Sequence, residues 1–198
     1  MPRPKKPRTK EHYYQAAKKH GYRARSAYKL RQVATKHHLL KGVNKVLDLC
    51  CAPGSWTQVL LELDAGLRVV AVDLSPIKPM KNVSFIQGDI TNPETVMEIE
   101  KKTEGSVDLV ISDCSPKVSG NWELDTVRQL ALVEATIQLA QKLLTPSGKV
   151  FTKVFQGKGF QEFLSNVKRQ FHSVRLVKPE ASRRTSAEIY LLASGPIR

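Results

Sequence analysis

Short apolar runs alternate with helix-length amphipathic segments along most of this 198-residue chain, and this alternation constrains the fold more than any other feature. The strand-like runs lie at 45–49, 68–72, 83–87, 109–112, 149–155, 174–177 and 189–193. The helical patterns lie at 55–63, 93–102, 124–144 and 158–171. Strands separated by helices are typical of a doubly wound, largely parallel sheet. The sequence therefore predicts an α/β protein with a Rossmann-like sheet of seven strands.

The polar connection between the last two strands, 178–188, has no helical pattern. A parallel crossover usually contains a helix, whereas antiparallel neighbours can be joined by a loop. The sequence therefore predicts that the last strand is antiparallel. No internal repeat or interdomain linker is visible, and 41% hydrophobic residues in a chain of this length suffice for one core.

Positive charge is concentrated towards the two ends of the chain. The net charge is +14, and residues 1–31 hold six Lys and five Arg against one acid, Glu11. A second cluster comprises Lys168, Arg169, Arg175, Lys178, Arg183 and Arg184. Such patches indicate a polyanion partner, most often nucleic acid. A solvated basic tail without a partner is the alternative.

The basic N-terminal region divides into two parts. Residues 1–10 contain three prolines and five cations, so we expect a disordered tail. From Lys10 to about Lys36 the pattern is mostly helical, with a break at Gly21. We therefore expect one domain at 11–198, in which a basic helical segment at 11–40 binds the polyanion.

Membrane, secreted and metal-binding classes are disfavoured. No apolar run approaches the roughly 20 residues of a membrane span, and no apolar stretch follows the basic N-terminus as in a secretory signal. The cysteines at 50, 51 and 114 lack a CxxC spacing, so reduced thiols acting as small apolar side chains are expected. The histidines lack metal-ligand spacing. We expect a cytoplasmic protein without a structural metal.

A strand, a loop of small residues and a helix follow one another from Val46 to Leu60, and ligands of open α/β sheets bind at such loops. Acids end four successive strands, at Asp48, Asp73, Asp89 and Asp113. One such acid is often only a helix cap, but four at one edge indicate a ligand site.

The chemistry of this loop favours S-adenosylmethionine as the ligand. A dinucleotide site needs a glycine-rich loop against the pyrophosphate, but Asp48–Gln58 contains one glycine and no cation. S-adenosylmethionine carries a ribose, an ammonium and a sulfonium but no phosphate, which suits an acidic edge. NAD remains the alternative.

Lys153 is the strongest candidate for a catalytic group. Alternation along 149–155 places Phe151, Lys153 and Phe155 on one face of a strand. Burial there favours the neutral amine, which can act as a general base. Asp113, which ends the neighbouring strand, is its expected partner. A lysine that extends to solvent from the strand end is the alternative.

Four separated motifs resemble the FtsJ/RrmJ (RlmE) family of RNA ribose 2′-O-methyltransferases. They are Asp-Leu-x-x-Ala-Pro-Gly-x-Trp-x-Gln at 48–58, Gly-Tyr-Arg-Ala-Arg-Ser-Ala-Tyr-Lys-Leu at 21–30, Thr-Lys-Val-Phe at 152–155 and Ser-Arg-Arg-Thr-Ser-Ala-Glu-Ile-Tyr at 182–190. The similarity extends from about residue 11 to 194 and looks closest to archaeal members. It departs from the family at Cys50 and Ser55, where many relatives have glycine.

The resemblance implies a catalytic tetrad of Lys29, Asp113, Lys153 and Glu188. It also implies cofactor contacts at Gly54, Trp56, Asp73, Asp89 and Asp113. In this interpretation Lys153 accepts or guides the proton of the ribose hydroxyl, and Asp113 aligns it with the cofactor. Lys29 and Glu188 orient the ribose and adjust the charge of Lys153. Independent surface salt bridges are the alternative for those two residues.

Other methyl transfers lack their signatures here. Methylation of a base amine usually requires an aromatic residue in the turn after the fourth strand, but that turn reads Asp-Cys-Ser-Pro at 113–116. Methylation at cytosine C5 requires a cysteine nucleophile, and Cys114 does not follow a proline as that motif requires.

The resemblance implies ribosomal RNA or the large ribosomal subunit as the partner, with a uridine of 23S-type RNA as the methylated nucleotide. The tRNA anticodon loop is the second possibility, and a non-catalytic RNA-binding assembly factor is the third. The residues expected to bind RNA are Arg23, Arg25, Lys29, Arg31, Arg183 and Arg184.

Overall fold

The computed structural model describes residues 12–183 and 185–198, which contain a seven-stranded sheet. The strands are β1 Lys45–Leu49, β2 Arg68–Asp73, β3 Val83–Gln87, β4 Val107–Ser112, β5 Leu144–Phe155, β6 Phe171–Val177 and β7 Glu188–Pro196. The helices are α1 His12–Lys19, α2 Ala27–Lys36, α3 Ser55–Leu63, α4 Pro93–Thr103, α5 Trp122–Leu143 and α6 Phe160–Lys168.

The sheet order is β3-β2-β1-β4-β5-β7-β6. The first five strands in this order are parallel, and β7 is antiparallel to both β5 and β6. The predicted doubly wound sheet with an antiparallel last strand is therefore confirmed. Because β3, β2, β1 and β4 are adjacent and parallel, the loops that follow them lie along one edge.

The two faces of the sheet carry separate apolar clusters. One contains Val133 and Ile137 of α5 and Phe163 of α6. The other contains Leu30 of α2 and Leu60 of α3. All five residues of β1 are buried, as expected for a central strand that is covered on both faces. Helices therefore cover both faces of the sheet.

Element boundaries differ from the predictions at several places. β5 begins at Leu144, inside the predicted helix 124–144, because its first residues continue pairing with β4 through an irregular register. β6 begins at Phe171, three residues early, because the ring of Phe171 is buried and its backbone pairs with Pro196. Helix α6 is shorter than the predicted 158–171, since Gly159 with φ +83° precedes it.

Two helices account for the N-terminal segment, and the predicted break at Gly21 is present. α1 and α2 are separated by the non-helical residues 20–26, and residues 37–40 are turns. The predicted tail 1–10 lies outside the described residues. In the part of the chain that is described, no helix is long and apolar enough to cross a membrane.

Candidate active site

The carboxylates of the ligand edge organise the loops around them. Asp73, the last residue of β2, accepts hydrogen bonds from the backbone N–H of Ala52 at 2.9 Å and of Ser75 at 2.8 Å. Asp89, beyond β3, accepts one from the N–H of Thr91 at 2.8 Å. Asp73 therefore connects β2 to the loop after β1, whereas the Asp89 carboxylate is exposed and caps its own turn.

Asp48 reports the electrostatic character of this edge. Its side chain is buried within β1 and accepts a hydrogen bond of 2.6 Å from the hydroxyl of Thr57. Burial raises the pKa of Asp48 to about 7; the Thr57 hydrogen bond opposes this rise, and the charges of Asp113 and Asp73 add to it. Burial is therefore the main cause of this shift, and the two neighbouring carboxylates contribute less to it.

The loop between β1 and α3, residues 50–54, requires residues that tolerate left-handed backbone. Gly54 has φ +95°, and a Cβ there would lie 2.6 Å from Nη1 of Arg23 and 3.1 Å from Cε of Met80. Cys50 has φ +57°, which explains why glycine suits this position. The hydroxyl of Ser55 lies 2.9 Å from that of Ser26, so the second departure from the family pattern is accommodated.

Trp56 faces the protein interior. Its side chain is only 2% exposed, its indole N–H donates to the carbonyl of Ser26 at 2.9 Å, and its ring stacks on Phe151 with centroids 5.5 Å apart. The indole therefore joins α3 to the start of α2. The backbone of Trp56 belongs to the first turn of α3, where N–H groups lack helical partners.

A disulfide between Cys50 and Cys114 corrects the expectation of three reduced thiols, while Cys51 is free and buried. The Cα atoms of the bonded pair are 5.0 Å apart. β1 and β4 are paired in register, Leu49 opposite Ser112, so residues just beyond their ends approach each other. The bond connects the loop after β1 to the loop that carries Asp113.

All four residues of the predicted tetrad converge at the end of β5 and the start of β7. The ammonium of Lys29 donates to Oε1 of Glu188 at 2.5 Å. Nζ of Lys153 lies 3.2 Å from Oδ1 of Asp113 and donates to the Asp113 carbonyl at 2.7 Å. Both lysines are buried, so neither is an independent surface salt bridge or a lysine that extends to solvent.

Tyr190, a residue without a predicted role, lies between the two ion pairs. It is opposite Lys153 in the β5–β7 register, and its hydroxyl donates to Oδ1 of Asp113 at 2.9 Å. The ammonium of Lys29 lies 5.6 Å from the centre of its ring. Burial, followed by the charges of Asp113 and Glu188, raises the pKa of Tyr190 well above its usual value. Its spacing of two from Glu188, which puts both residues on one strand face, was the available sequence signal.

Gln129 of α5 supports the backbone of the catalytic strand. Its amide nitrogen donates to the Lys153 carbonyl at 2.8 Å, and its amide oxygen accepts from the Phe155 N–H at 3.0 Å. The β4–β5 pairing ends at Ser112 opposite Thr152, so this fully buried amide takes the place of the missing strand neighbour. The backbone that positions Lys153 is thereby fully hydrogen-bonded on this side.

The residues predicted to bind RNA have diverse environments. The guanidinium of Arg23 donates to the Pro53 carbonyl at 3.1 Å, and that of Arg31 contacts Tyr22 and Glu62. Arg25 is partly buried, and Arg183 is exposed. Arg184 lies outside the described residues. Arg23 and Arg31 therefore also attach the N-terminal segment to α3 and its preceding loop.

Among residues 12–183 and 185–198, no group of three or more His, Cys, Asp or Glu side chains is arranged to hold a metal ion.

Comparisons with known proteins agree with this architecture. "Ribosomal RNA large subunit methyltransferase E" of Methanothrix thermoacetophila is 48% identical over 96% of this chain and 75% of its own length. The protein of the same name from Archaeoglobus fulgidus is 45% identical over 92% of this chain and 94% of its own length. The crystal structure of a putative ribosomal RNA methyltransferase from Plasmodium falciparum has a TM-score of 0.78 and 27% identity, and the match covers 88% of this chain and 98% of that one.

The sheet order, the acidic edge and the antiparallel β7 define the class as an α/β methyltransferase fold. A family model described as FtsJ-like methyltransferase matches residues 22–195. This chain belongs to the FtsJ-like methyltransferase family.

Proposed function

We propose that this protein transfers a methyl group from S-adenosylmethionine to a ribose 2′-hydroxyl of RNA, at a uridine of large-subunit ribosomal RNA. The observation that carries the proposal is the buried lysine Lys153, held by Asp113 beside the acidic ligand edge and joined through Tyr190 to the Lys29–Glu188 pair. The names of the relatives support ribosomal RNA as the substrate. With that substrate, the proposed site of action is the cytoplasm.

The residues at the ligand edge fit S-adenosylmethionine better than a dinucleotide. Asp73, Asp89 and Asp113 would supply negative charge and ribose-binding oxygens, and negative charge at this edge favours a cation. The guanidinium of Arg23, which lies next to the loop after β1, donates a hydrogen bond to the Pro53 carbonyl. Gly54 and the backbone of Trp56 would border the bound molecule. Binding of NADH without binding of S-adenosylmethionine in calorimetric titrations would contradict this assignment.

When bound, S-adenosylmethionine supplies a methyl group on positively charged sulfur. The ribose hydroxyl must lose its proton as its oxygen forms the new bond to carbon. Lys153 receives or guides that proton, and Asp113 fixes the direction of the ammonium. Lys29 and Glu188 orient the ribose. Tyr190, which lies between the two ion pairs, holds the Asp113 carboxylate through a hydrogen bond. Burial of these groups excludes water that would otherwise weaken their interactions.

A basic groove along α2, the helix that carries Lys29, supports RNA as the acceptor. A cavity of about 430 Å³ between α2 and the end of β6 is lined by Arg31, Lys36 and Lys178 among others. An adjoining cavity of about 300 Å³ shares Lys36 and adds Lys149 and Arg175. Contacts with phosphates along this groove would make RNA binding weaken steeply with salt. An affinity that hardly changes between low and high salt would contradict this assignment.

We further propose that 11–198 acts as one domain and that Arg23, Arg25, Lys29 and Arg31 in its segment 11–40 contribute to RNA binding, with Arg183 and Arg184 from the β6–β7 loop. The proximity of α2 to the basic groove supports this arrangement. Alanine substitution of Arg25 or Arg183 is expected to raise the KM for RNA and leave donor affinity unchanged.

The decisive experiment maps 2′-O-methyl groups on total RNA from cells with and without the protein. We expect one uridine of large-subunit RNA to lose its methyl group and to regain it when the wild-type gene is restored. Restoration with Lys153→Ala should fail, whereas Lys101→Ala on α4, an exposed control, should succeed. A missing tRNA methyl group would favour the second substrate. Methylation at the wild-type rate by Lys153→Ala would favour a different catalytic group, and no change at any site would favour an assembly factor.

A further inference from the structure

Exposed apolar side chains cluster around the start of α5. Trp122 is 49% exposed, and Val118 in the preceding loop and Leu124 and Val127 further along α5 are also exposed. The indole of Trp122 stacks on the ring of Phe155, with centroids 5.6 Å apart and planes inclined by 25°. The indole is thus held against Phe155 while about half of the residue is exposed to solvent. The fold gains little from this arrangement because much of the indole remains in water.

This aromatic pair is attached to the catalytic strand. Phe155 follows Lys153 by two residues on β5, and its N–H donates to the Gln129 amide of α5. Gly157 lies against Thr126 so closely that a Cβ there would be 2.6 Å from Cγ2. The start of α5 and the end of β5 therefore pack without space between them. Trp122 is held at the same sheet edge as the tetrad.

The loop that leads to Trp122 is fixed in place. The buried carboxylate of Asp125 accepts hydrogen bonds from the N–H and hydroxyl of Ser119, at 2.9 and 2.8 Å, and from the N–H of Gly120 at 3.3 Å. Asn121 caps the helix by accepting from the N–H of Leu124 at 3.2 Å. A surface ordered before binding loses little entropy when a ligand stacks on it.

The charges around the pair suit a polyanion. Lys117 in the loop before α5, Arg128 on α5 and Lys158 after the end of β5 are exposed. The acids in the first turn of α5 are Glu123 and the buried Asp125, whose carboxylate is hydrogen-bonded to Ser119. A flat aromatic surface bordered by cations is the usual means of holding an unpaired base, since every base has a π face and a nearby phosphate. A purely apolar protein partner would not require these cations.

We propose that Trp122, supported by Phe155, is a stacking platform for an unpaired nucleobase of the RNA, next to the nucleotide whose ribose is at Lys153. This inference rests on the proposed function. It assigns RNA positioning to a surface outside the basic groove, so the substrate would be held on both sides of the tetrad. The platform binds the base without hydrogen bonds, and it therefore tolerates different bases.

Two measurements test the platform. The chain has two tryptophans, and Trp56 is buried, so the emission of solvent-exposed tryptophan reports Trp122. Titration with a single-stranded oligoribonucleotide should quench this emission in the wild type. The variant Trp122→Phe should lose the signal and retain stacking. An oligonucleotide with abasic positions flanking the target should quench much less.

Methyl-transfer kinetics provide the second measurement. Trp122→Ala should raise the KM for RNA roughly tenfold or more and leave kcat at saturating RNA within about threefold, as expected for loss of one stacked base. Trp122→Phe should stay close to the wild type. Met97→Ala, an exposed apolar residue on α4, is the matched control, and thermal denaturation checks that each variant is folded.

The outcomes separate the platform from the reaction. An unchanged KM in Trp122→Ala with normal methyl transfer overturns the platform, and it points to a protein partner for this surface. Quenching by RNA without methyl transfer to any RNA contradicts the proposed reaction and supports the platform. Absence of quenching in a wild type that methylates RNA also overturns the platform.

Discussion

The two halves of the site differ in how the sequence builds them. The donor half, at the ends of β1 to β4, is acidic. Each of its acids lies near the end of one strand or just after it. The acceptor half, at β5, β7 and α2, is basic, and its lysines pair with acids from distant segments: Lys29 with Glu188 and Lys153 with Asp113. Local sequence patterns thus define a donor pocket, whereas the chemistry on the acceptor depends on tertiary pairing. Each variant below should affect one half and spare the other.

The largest expected effect is on the acceptor half. Lys153→Ala should lower kcat by about 10²–10⁴-fold, the usual contribution of a group that transfers a proton. Its affinity for S-adenosylmethionine should remain within about threefold of the wild type, as measured by calorimetric titration. Loss of donor affinity in parallel with kcat would show that the two halves are not separable.

Asp48 tests the buried environment of the donor half through stability. The folded protein retains the Asp48 proton up to about pH 7, whereas the unfolded chain releases it near pH 4. The wild type should therefore lose stability as pH rises between these values, by at most about 4 kcal/mol. Asp48→Asn, which cannot ionise, should lack this loss in urea denaturation at pH 5 and pH 8. Glu98→Gln, an exposed control, should follow the wild type; identical pH dependence in Asp48→Asn would refute the assignment.

The disulfide connects two loops of the donor half, the one after β1 and the one after β4. Replacing Cys50 and Cys114 by serine should lower the free energy of unfolding by about 2–4 kcal/mol, as expected for a closed loop of this size. Thiol titration of the denatured, unreduced protein should give one free thiol, and three after reduction. Three thiols before reduction would contradict the bond.

The smallest effect is expected at Asp73. Asp73→Asn keeps an acceptor for the Ala52 N–H but removes the charge, so donor affinity should fall roughly tenfold, the cost of one hydrogen bond to a charged group. The KM for RNA should not change. An equal rise in the KM for RNA would mean that the loop after β1 serves both halves.

Prediction from sequence succeeded where the signal is local. The strand and helix patterns predicted a doubly wound seven-stranded sheet with an antiparallel last strand, which the structure confirms. The donor edge, inferred from the acids at the ends of β1 to β4, stays a prediction. The disulfide was missed because its cysteines are separated by 64 positions and approach only through the β1–β4 register. Gln129 belongs to no recognisable motif. Its side chain hydrogen-bonds the backbone of Lys153 because the pairing of β4 with β5 ends one residue earlier, at Thr152. The inward orientation of Trp56 depends on α2, which reaches it from a distant segment.

The position of β7 has a consequence for how the protein is made. This strand comes last along the chain but lies inside the sheet, hydrogen-bonded to β5 on one side and to β6 on the other. It carries Glu188 and Tyr190. A nascent chain on the ribosome can therefore form the donor half early, but it remains without a complete acceptor half until residue 190 has emerged and entered the gap. Translation products that stop before β7 would be unable to methylate.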